Sequence, residues 1–214
     1  MKITELTPQK KNPNRFNLYV DDKFYCGVSL DVVAKHNLYK SKEVEDTVLS
    51  MILYDSLVEK LNFRVTVYLS RYRKTEKEAR QYISELLYKK QGDWFAKDLK
   101  INKNEIVEKI TDFALENKLL DDYQFAVDYI SDRTENKPRS KYLIQLELRR
   151  KGVSEQIISE AFKTQELLIS DEELIVKLCK KKYGVEKISM DDKKKISFFQ
   201  RKGFSWDIIG GIID

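Results

Sequence analysis

The sequence predicts a mainly α protein in which three tandem repeats stack into an elongated, curved, solenoid-like array behind a small N-terminal β extension. Three observations carry this reading. Glycine and proline are scarce, 7 and 3 in 214 residues, against averages of about 7% and 5%. From about Val44 onward the apolar residues recur at spacings of three and four, the period of a helix with one buried face. The segment RKGVSEQII from Arg150 returns as RKGFSWDII from Arg201, identical at six of nine positions after 51 residues. A unit of this size cannot bury its apolar face alone, so neighbouring copies must share a continuous core.

Residues 1–43 form the extension. Arg15–Val20 and Lys23–Val28 are short aromatic and β-branched runs separated by Asp21-Asp22, the pattern of two strands joined by a tight turn. The run ITEL from Ile3 is a third strand able to pair with them. Ser29–Lys35 reads as a short helix capped by Ser29 or Asp31. His36 then lies at a helix end, half exposed.

The first repeat occupies 44–118, the second 119–168 and the third 169–214. Within the first, Leu57, Leu61, Val65, Tyr68 and Tyr72 keep one helical face, although Phe63, Val65, Val67 and Leu69 also alternate as a strand would. The flanking helical pattern decides for helix. Thr75-Glu76-Lys77-Glu78 is a capping box, in which a hydroxyl and a carboxylate reciprocally satisfy free N–H groups, so a new helix starts there. The repeat extends beyond its nine-residue match: Ile106, Val107 and Ile110 precede Ile157, Ile158 and Ala161 by 51 residues, and Asp122, Phe125 and Tyr129 precede Asp171, Leu174 and Leu178 by 49. Gly152 and Gly203 supply the left-handed residue that ends a helix, and Ser154 and Ser205 cap the helix that follows.

Several function classes lose their parts. The longest run without a charged residue, Thr47–Tyr54, is far short of the roughly 20 apolar residues that span a bilayer. The N-terminus lacks the apolar core of a secretory signal. A cytoplasmic chain with reduced Cys26 and Cys179 is expected. One His and two distant Cys cannot build a Cys/His zinc site, and the glycines never fall into a phosphate-cradling motif. Asp121-Asp122 and Asp191-Asp192 resemble paired carboxylates for metal chemistry, but each pair precedes a helix, where N-capping explains it better. No metal and no cofactor is expected.

The formal net charge of +5 hides segregation. Lys60–Lys74 carries five bases and no acid, Lys137–Gly152 six bases and one acid, and Lys177–Lys202 ten bases and three acids, whereas Glu105–Glu135 holds nine acids and three bases. An all-basic surface suits bare DNA through counterion release. Alternating blocks suit a partner carrying both signs, such as a protein filament wrapped on DNA. The candidate binding residues in the basic blocks are Arg71, Arg73, Arg139, Lys141, Arg149, Arg150, Lys151, Lys194, Arg201 and Lys202. Five of these, from Arg139 to Lys151, are placed on one helix. Ordinary solvated helix faces and cations at a helix's negative end are the alternative account of the same residues, and the repeat tips the balance towards a binding role. Trp94, Tyr123 and Trp206 could stack on bases, with packing between helices as the commoner use.

LLDDYQFAVDYISDR from Leu119 and KPRSKYLIQLELRRKGVS from Lys137 resemble the signatures of the RecX family of RecA recombinase regulators, and RKTEKEARQYI from Arg73 and FFQRKGFS from Phe198 are similar to the starts and stops of its other repeats. Asp122 and Phe125, with Gly152, Ser154, Gly203 and Ser205, are the structural residues of that pattern. Two departures are visible: Asn136-Lys137 precedes Pro138 where the family commonly has Gly, and QGDWFAKDLKINKN from Gln91 replaces a short turn. The resemblance implies nine main helices in three tandem three-helix repeats. It also implies a monomeric, non-enzymatic protein that binds the groove of the RecA filament on single-stranded DNA, could touch DNA directly, and restrains recombinase, ATPase and coprotease functions in DNA repair, recombination and the SOS response. A free-standing helical-repeat DNA-binding protein is the alternative, and a carboxylate-metal nuclease a weaker third.

Overall fold

A computed structural model describes residues 1–10, 12–88, 102–164 and 170–214. Trp94 and most of the insertion from Gln91 lie outside them. Among the described residues the chain forms a three-stranded sheet followed by ten helices, and it divides into two compact units.

The first unit comprises Met1–Tyr72 and Arg80–Leu119. Strands β1 (Ile3–Gln9), β2 (Asn12–Val20) and β3 (Lys23–Ser29) form an antiparallel meander in that order. Val20 pairs with Lys23 across a two-residue turn in which Asp21 and Asp22 have φ of 46° and 62°. Positive φ at both central positions matches the strand twist, which is why short polar residues stand there. The turn is tied to β1, since Asp21 Oδ1 accepts the Lys2 N–H at 2.9 Å and Asp22 N–H donates to Thr4 Oγ1 at 3.0 Å. Helix α1 (Leu30–Lys35) is capped by Ser29, whose Oγ accepts the Val32 N–H.

Helix α2 (Asp46–Arg71) confirms the helical reading of its ambiguous stretch. Val65 and Leu69 are buried while Phe63 and Val67 are exposed, a split that a 3.6-residue period produces and a strand would not. Its first turns close over the sheet: Leu49, Ile52 and Leu53 share one core with Ile3, Leu18, Val20, Cys26 and Val28. The N-terminal strands are therefore part of a core with α2, whereas the sequence reading has the helices packing mainly on each other. Burial pushes the Cys26 thiol up to about 12, which suits a packed rather than reactive sulfur. Farther along, α2 packs against α4 (Lys103–Glu116), and Tyr68 stacks on Tyr82 of α3 (Glu76–Tyr88) with centroids 4.0 Å apart. His36 ends α1 as expected, yet its ring is largely covered and lies 2.7 Å from Asp55 Oδ2, which also takes Lys35 at 2.8 Å.

The second unit comprises Arg73–Ala79 and Leu120–Asp214. It holds the first turn of α3 together with α5 (Asp122–Glu135), α6 (Lys141–Arg150), α7 (Glu155–Thr164), α8 (Asp171–Tyr183), α9 (Lys193–Arg201) and α10 (Trp206–Gly210). One core gathers Phe125, Ala126, Ile130, Ile144, Leu148 and Ile158 of α5–α7. A second gathers Leu174, Ile175, Leu178, Ile196, Phe199 and Ile209 of α8–α10. The C-terminus is pinned by a parallel bridge, Ile188 N–H to Ile212 carbonyl at 2.8 Å and Asp214 N–H to Ile188 carbonyl at 3.1 Å.

Candidate functional site

The internal repeat appears in three dimensions as one junction built twice within the second unit. In the first, Thr75 Oγ1 accepts the Glu78 N–H at 3.3 Å and donates to the Lys151 carbonyl at 2.7 Å. Glu78 completes the capping box on the Thr75 N–H at 3.2 Å and takes the Lys151 ammonium at 2.7 Å. The Glu76 N–H donates to Asp122 at 2.8 Å. Gly152, at φ +91°, lies so close to α3 that an added Cβ would sit 2.5 Å from Lys77 Cβ. In the second junction Ser140 caps α6, its N–H donates to the Lys202 carbonyl at 3.1 Å, and the Lys141 N–H donates to Asp171 at 2.8 Å. Gly203, at φ +87°, makes the corresponding approach, with an added Cβ 2.6 Å from Leu143 Cβ.

These contacts explain the structural residues. A helix N-terminus leaves N–H groups without partners, and a half-buried carboxylate at the start of α5 or α8 accepts from one of them at the start of α3 or α6. Burial pushes the Asp122 and Asp171 carboxyls up, and the accepted backbone N–H opposes that rise in both. Asp121 caps α5 through the Gln124 N–H at 2.8 Å, and Asp192 caps α9 through the Lys195 N–H at 3.4 Å. Ser154 and Ser205 accept the N–H groups of Ile157 and Ile208. Among the described residues no group of three metal-ligating side chains comes together.

The candidate cations separate into paired and unpaired groups. Arg73 is bound to Asp128 at 2.7 Å, Arg149 to Glu155 at 2.6 Å, Lys151 to Glu78, and Arg139 to Glu147. Arg139 also precedes α6 rather than lying on it, because Ser140 is the cap, and Lys151 is the residue that ends it. The five cations from Arg139 to Lys151 thus do not form one free helical face. Arg71, Lys141, Arg150, Lys194, Arg201 and Lys202 hold no carboxylate in ion-pair contact among the described residues, and all but Lys202 are exposed. Trp206 is exposed on α10, whereas Tyr123 packs beside the α5–α7 core and shares a 2.8 Å hydrogen bond with Thr164.

Two cations that sequence reading passes over join Lys202. Lys182 on α8 has its Nζ 3.8 Å from the Phe198 ring centroid, and Lys202 Nζ lies 5.6 Å from the same centroid. Arg133 of α5 stacks on Tyr129 at 4.3 Å and contacts Asp132 and Glu147. Burial pushes the Lys202 ammonium down, and Arg139, Lys182 and Arg133 push it further the same way. The repeat offset could have found them: Arg133 and Lys182 stand 49 residues apart, as do Asp122 and Asp171.

Two family profiles match this chain: "Regulatory protein RecX N-terminal domain" over residues 1–45, and "RecX, second three-helix domain" over residues 121–161, the stretch holding α5, α6 and most of α7. The regulatory protein RecX of Bacillus licheniformis is 31% identical over 215 residues, covering 99% of this chain and 76% of that protein. That of Clostridium tetani is 29% identical over 218 residues, covering 100% and 93%. A crystal structure of a regulatory protein RecX superposes with a TM-score of 0.67 at 24% identity, covering 99% of this chain and 98% of the other, which establishes the shared fold. With its paired glycine turns, its half-buried helix-start aspartates and these matches along almost all of its length, the chain belongs to the RecX family of regulatory proteins.

Proposed function

We propose that the chain is a non-enzymatic, monomeric, cytoplasmic regulator that binds the RecA recombinase filament on single-stranded DNA and inhibits its recombinase, ATPase and coprotease activities in DNA repair and the SOS response. The observation that carries this reading is the match along almost the whole chain to regulatory RecX proteins. The exposed, unpaired cations Lys141, Arg150 and Arg201 and the alternating charge blocks support it, because a filament offers both phosphates and acidic side chains. No helix among the described residues is long and apolar enough to cross a membrane.

The test is RecA-driven ATP hydrolysis and strand exchange on single-stranded DNA with increasing amounts of the chain. Suppression by the parent, and a shift of at least about tenfold in the required concentration for Lys141→Glu/Arg150→Glu/Arg201→Glu, are expected, since three reversed contacts each contribute to a salt-sensitive affinity. The variant should stay folded, because exposed charges contribute little stability. Equal affinity for bare and recombinase-coated DNA with no effect on the recombinase would instead mark a free-standing DNA-binding protein.

A further inference from the structure

We infer that Lys182 and Lys202, held beside Phe198 and backed by Arg133 and Arg139, form a subsite for one phosphodiester of single-stranded DNA. This deepens the filament reading by naming the chemical group that one part of the surface takes. The two junctions supply the argument by their difference. In the first, Lys151 is neutralised by Glu78, the third residue after the cap Thr75. In the second, Lys202 occupies the position of Lys151, and the third residue after the cap Ser140 is Leu143. The internal carboxylate is gone, but the cation remains.

The neighbours do not replace it. Lys182 and Lys202 have ring contacts but no carboxylate in ion-pair contact among the described residues. The acids nearby are already engaged: Glu147 takes both Arg133 and Arg139, and Asp132 takes Arg133 and the Asn136 amide. Four cations thus share two carboxylates, and the Lys202 ammonium is pushed down first by its burial and then by the neighbouring Arg139, Lys182 and Arg133. Buried Nε atoms of Arg133 and Arg139 are left without a hydrogen-bond partner. The guanidinium groups, which suit a planar carboxylate, are occupied internally, while the heads left over are compact ammonium groups, which bind phosphate as point charges. Phosphate of a nucleic-acid backbone is therefore favoured over an acidic side chain. Within the same unit Lys181 is spent on the Asn136 carbonyl at 2.7 Å, Lys177 on the Thr134 carbonyl at 3.2 Å and Lys180 on Glu186 at 2.5 Å, which leaves Lys182 as the lysine of that helix beside the cluster.

The test is binding of the full chain to a fluorescent oligothymidylate across a range of salt concentrations, followed by anisotropy. Lys182→Gln/Lys202→Gln should bind about tenfold more weakly and show a salt slope shallower by about 0.7, the loss of one phosphate contact on a single strand. A control pair, Lys23→Gln/Lys40→Gln, removes the same charge from exposed positions in the other unit and should leave both quantities near the parent. Parent-like slope and affinity in the Lys182/Lys202 variant would overturn the subsite. A second measurement avoids substitution altogether: acylation of lysines in the parent, read by mass spectrometry, should slow severalfold at Lys182 and Lys202 when oligonucleotide is present, but not at Lys23 or Lys40. Equal labelling with and without oligonucleotide overturns the inference even if the variant fails to fold. Should the parent suppress the recombinase while these two lysines stay unprotected, the subsite falls and the regulatory reading stands. If the lysines are protected but the recombinase is unaffected, the regulatory reading falls instead.

Discussion

Gly152 shows how one residue can be fixed twice over. Its φ of +91° disfavours any side chain, and a Cβ would meet Lys77 of α3. Gly152→Val should lower stability by more than the roughly 1 kcal/mol of conformational strain alone, because the turn must also move away from α3. Thermal melts that coincide with the parent would refute the assignment. The Glu78–Lys151 pair gives a pH test. Burial raises the Glu78 carboxyl, but the Lys151 ammonium and the Thr75 N–H outweigh it and hold it below its ordinary range. A lowered folded value means that the stabilisation is present above the unfolded carboxyl range, near about 4.3, and is lost as pH falls through the folded value. Glu78→Gln should therefore cost less than about 1 kcal/mol at neutral pH, since both heads keep some contact with solvent. The difference from the parent should vanish in acid, as melts across pH will show.

At the scale of elements, Asp122 and Thr75 tie the starts of α5 and α3 together. Asp122→Asn keeps an oxygen for the Glu76 N–H and removes a half-buried charge, so it should melt close to the parent. Asp122→Ala leaves that donor without its partner and should cost about 1–3 kcal/mol. The raised Asp122 carboxyl fixes the sign of the pH effect: its contribution favours the fold below the ordinary carboxyl range and is lost as pH rises through the folded value, so Asp122→Asn should remove that component. Thr75→Ala removes a helix cap and a fully buried hydroxyl contact to the Lys151 carbonyl, and about 1–2 kcal/mol is expected from unfolding in denaturant. The capping box was legible in the sequence because it is local. Its bond to Lys151, 76 residues away, was not.

At the scale of the whole molecule, the sheet and α2 stand or fall together in the first unit. Deleting residues 1–40 uncovers Leu49, Ile52 and Leu53, three side chains that are almost fully buried in the complete chain. Leu or Ile truncation in a core costs about 2–5 kcal/mol, and uncovering three such residues should abolish hydrogen-exchange protection in the first half of α2. Protection of Asp46–Leu57 that survives the deletion would show that the strands are dispensable to this core.

The sequence by itself determined the mainly helical class, the N-terminal meander with its Asp21-Asp22 turn, the glycine and serine boundaries of α6–α7 and α9–α10, and the family. Those signals are local periodicities and caps, or they recur at fixed offsets, so they survive without knowledge of what touches what. Only the tertiary structure decided which cations are free. Arg139, Arg149, Arg73 and Lys151 look as available in the sequence as Arg150 or Lys202, but Glu147, Glu155, Asp128 and Glu78 reach them through the fold. Charge is a property of a residue, whereas neutralisation is a property of a place, and places 73 or more residues apart along the chain, such as Glu78 and Lys151, become neighbours only when the helices pack.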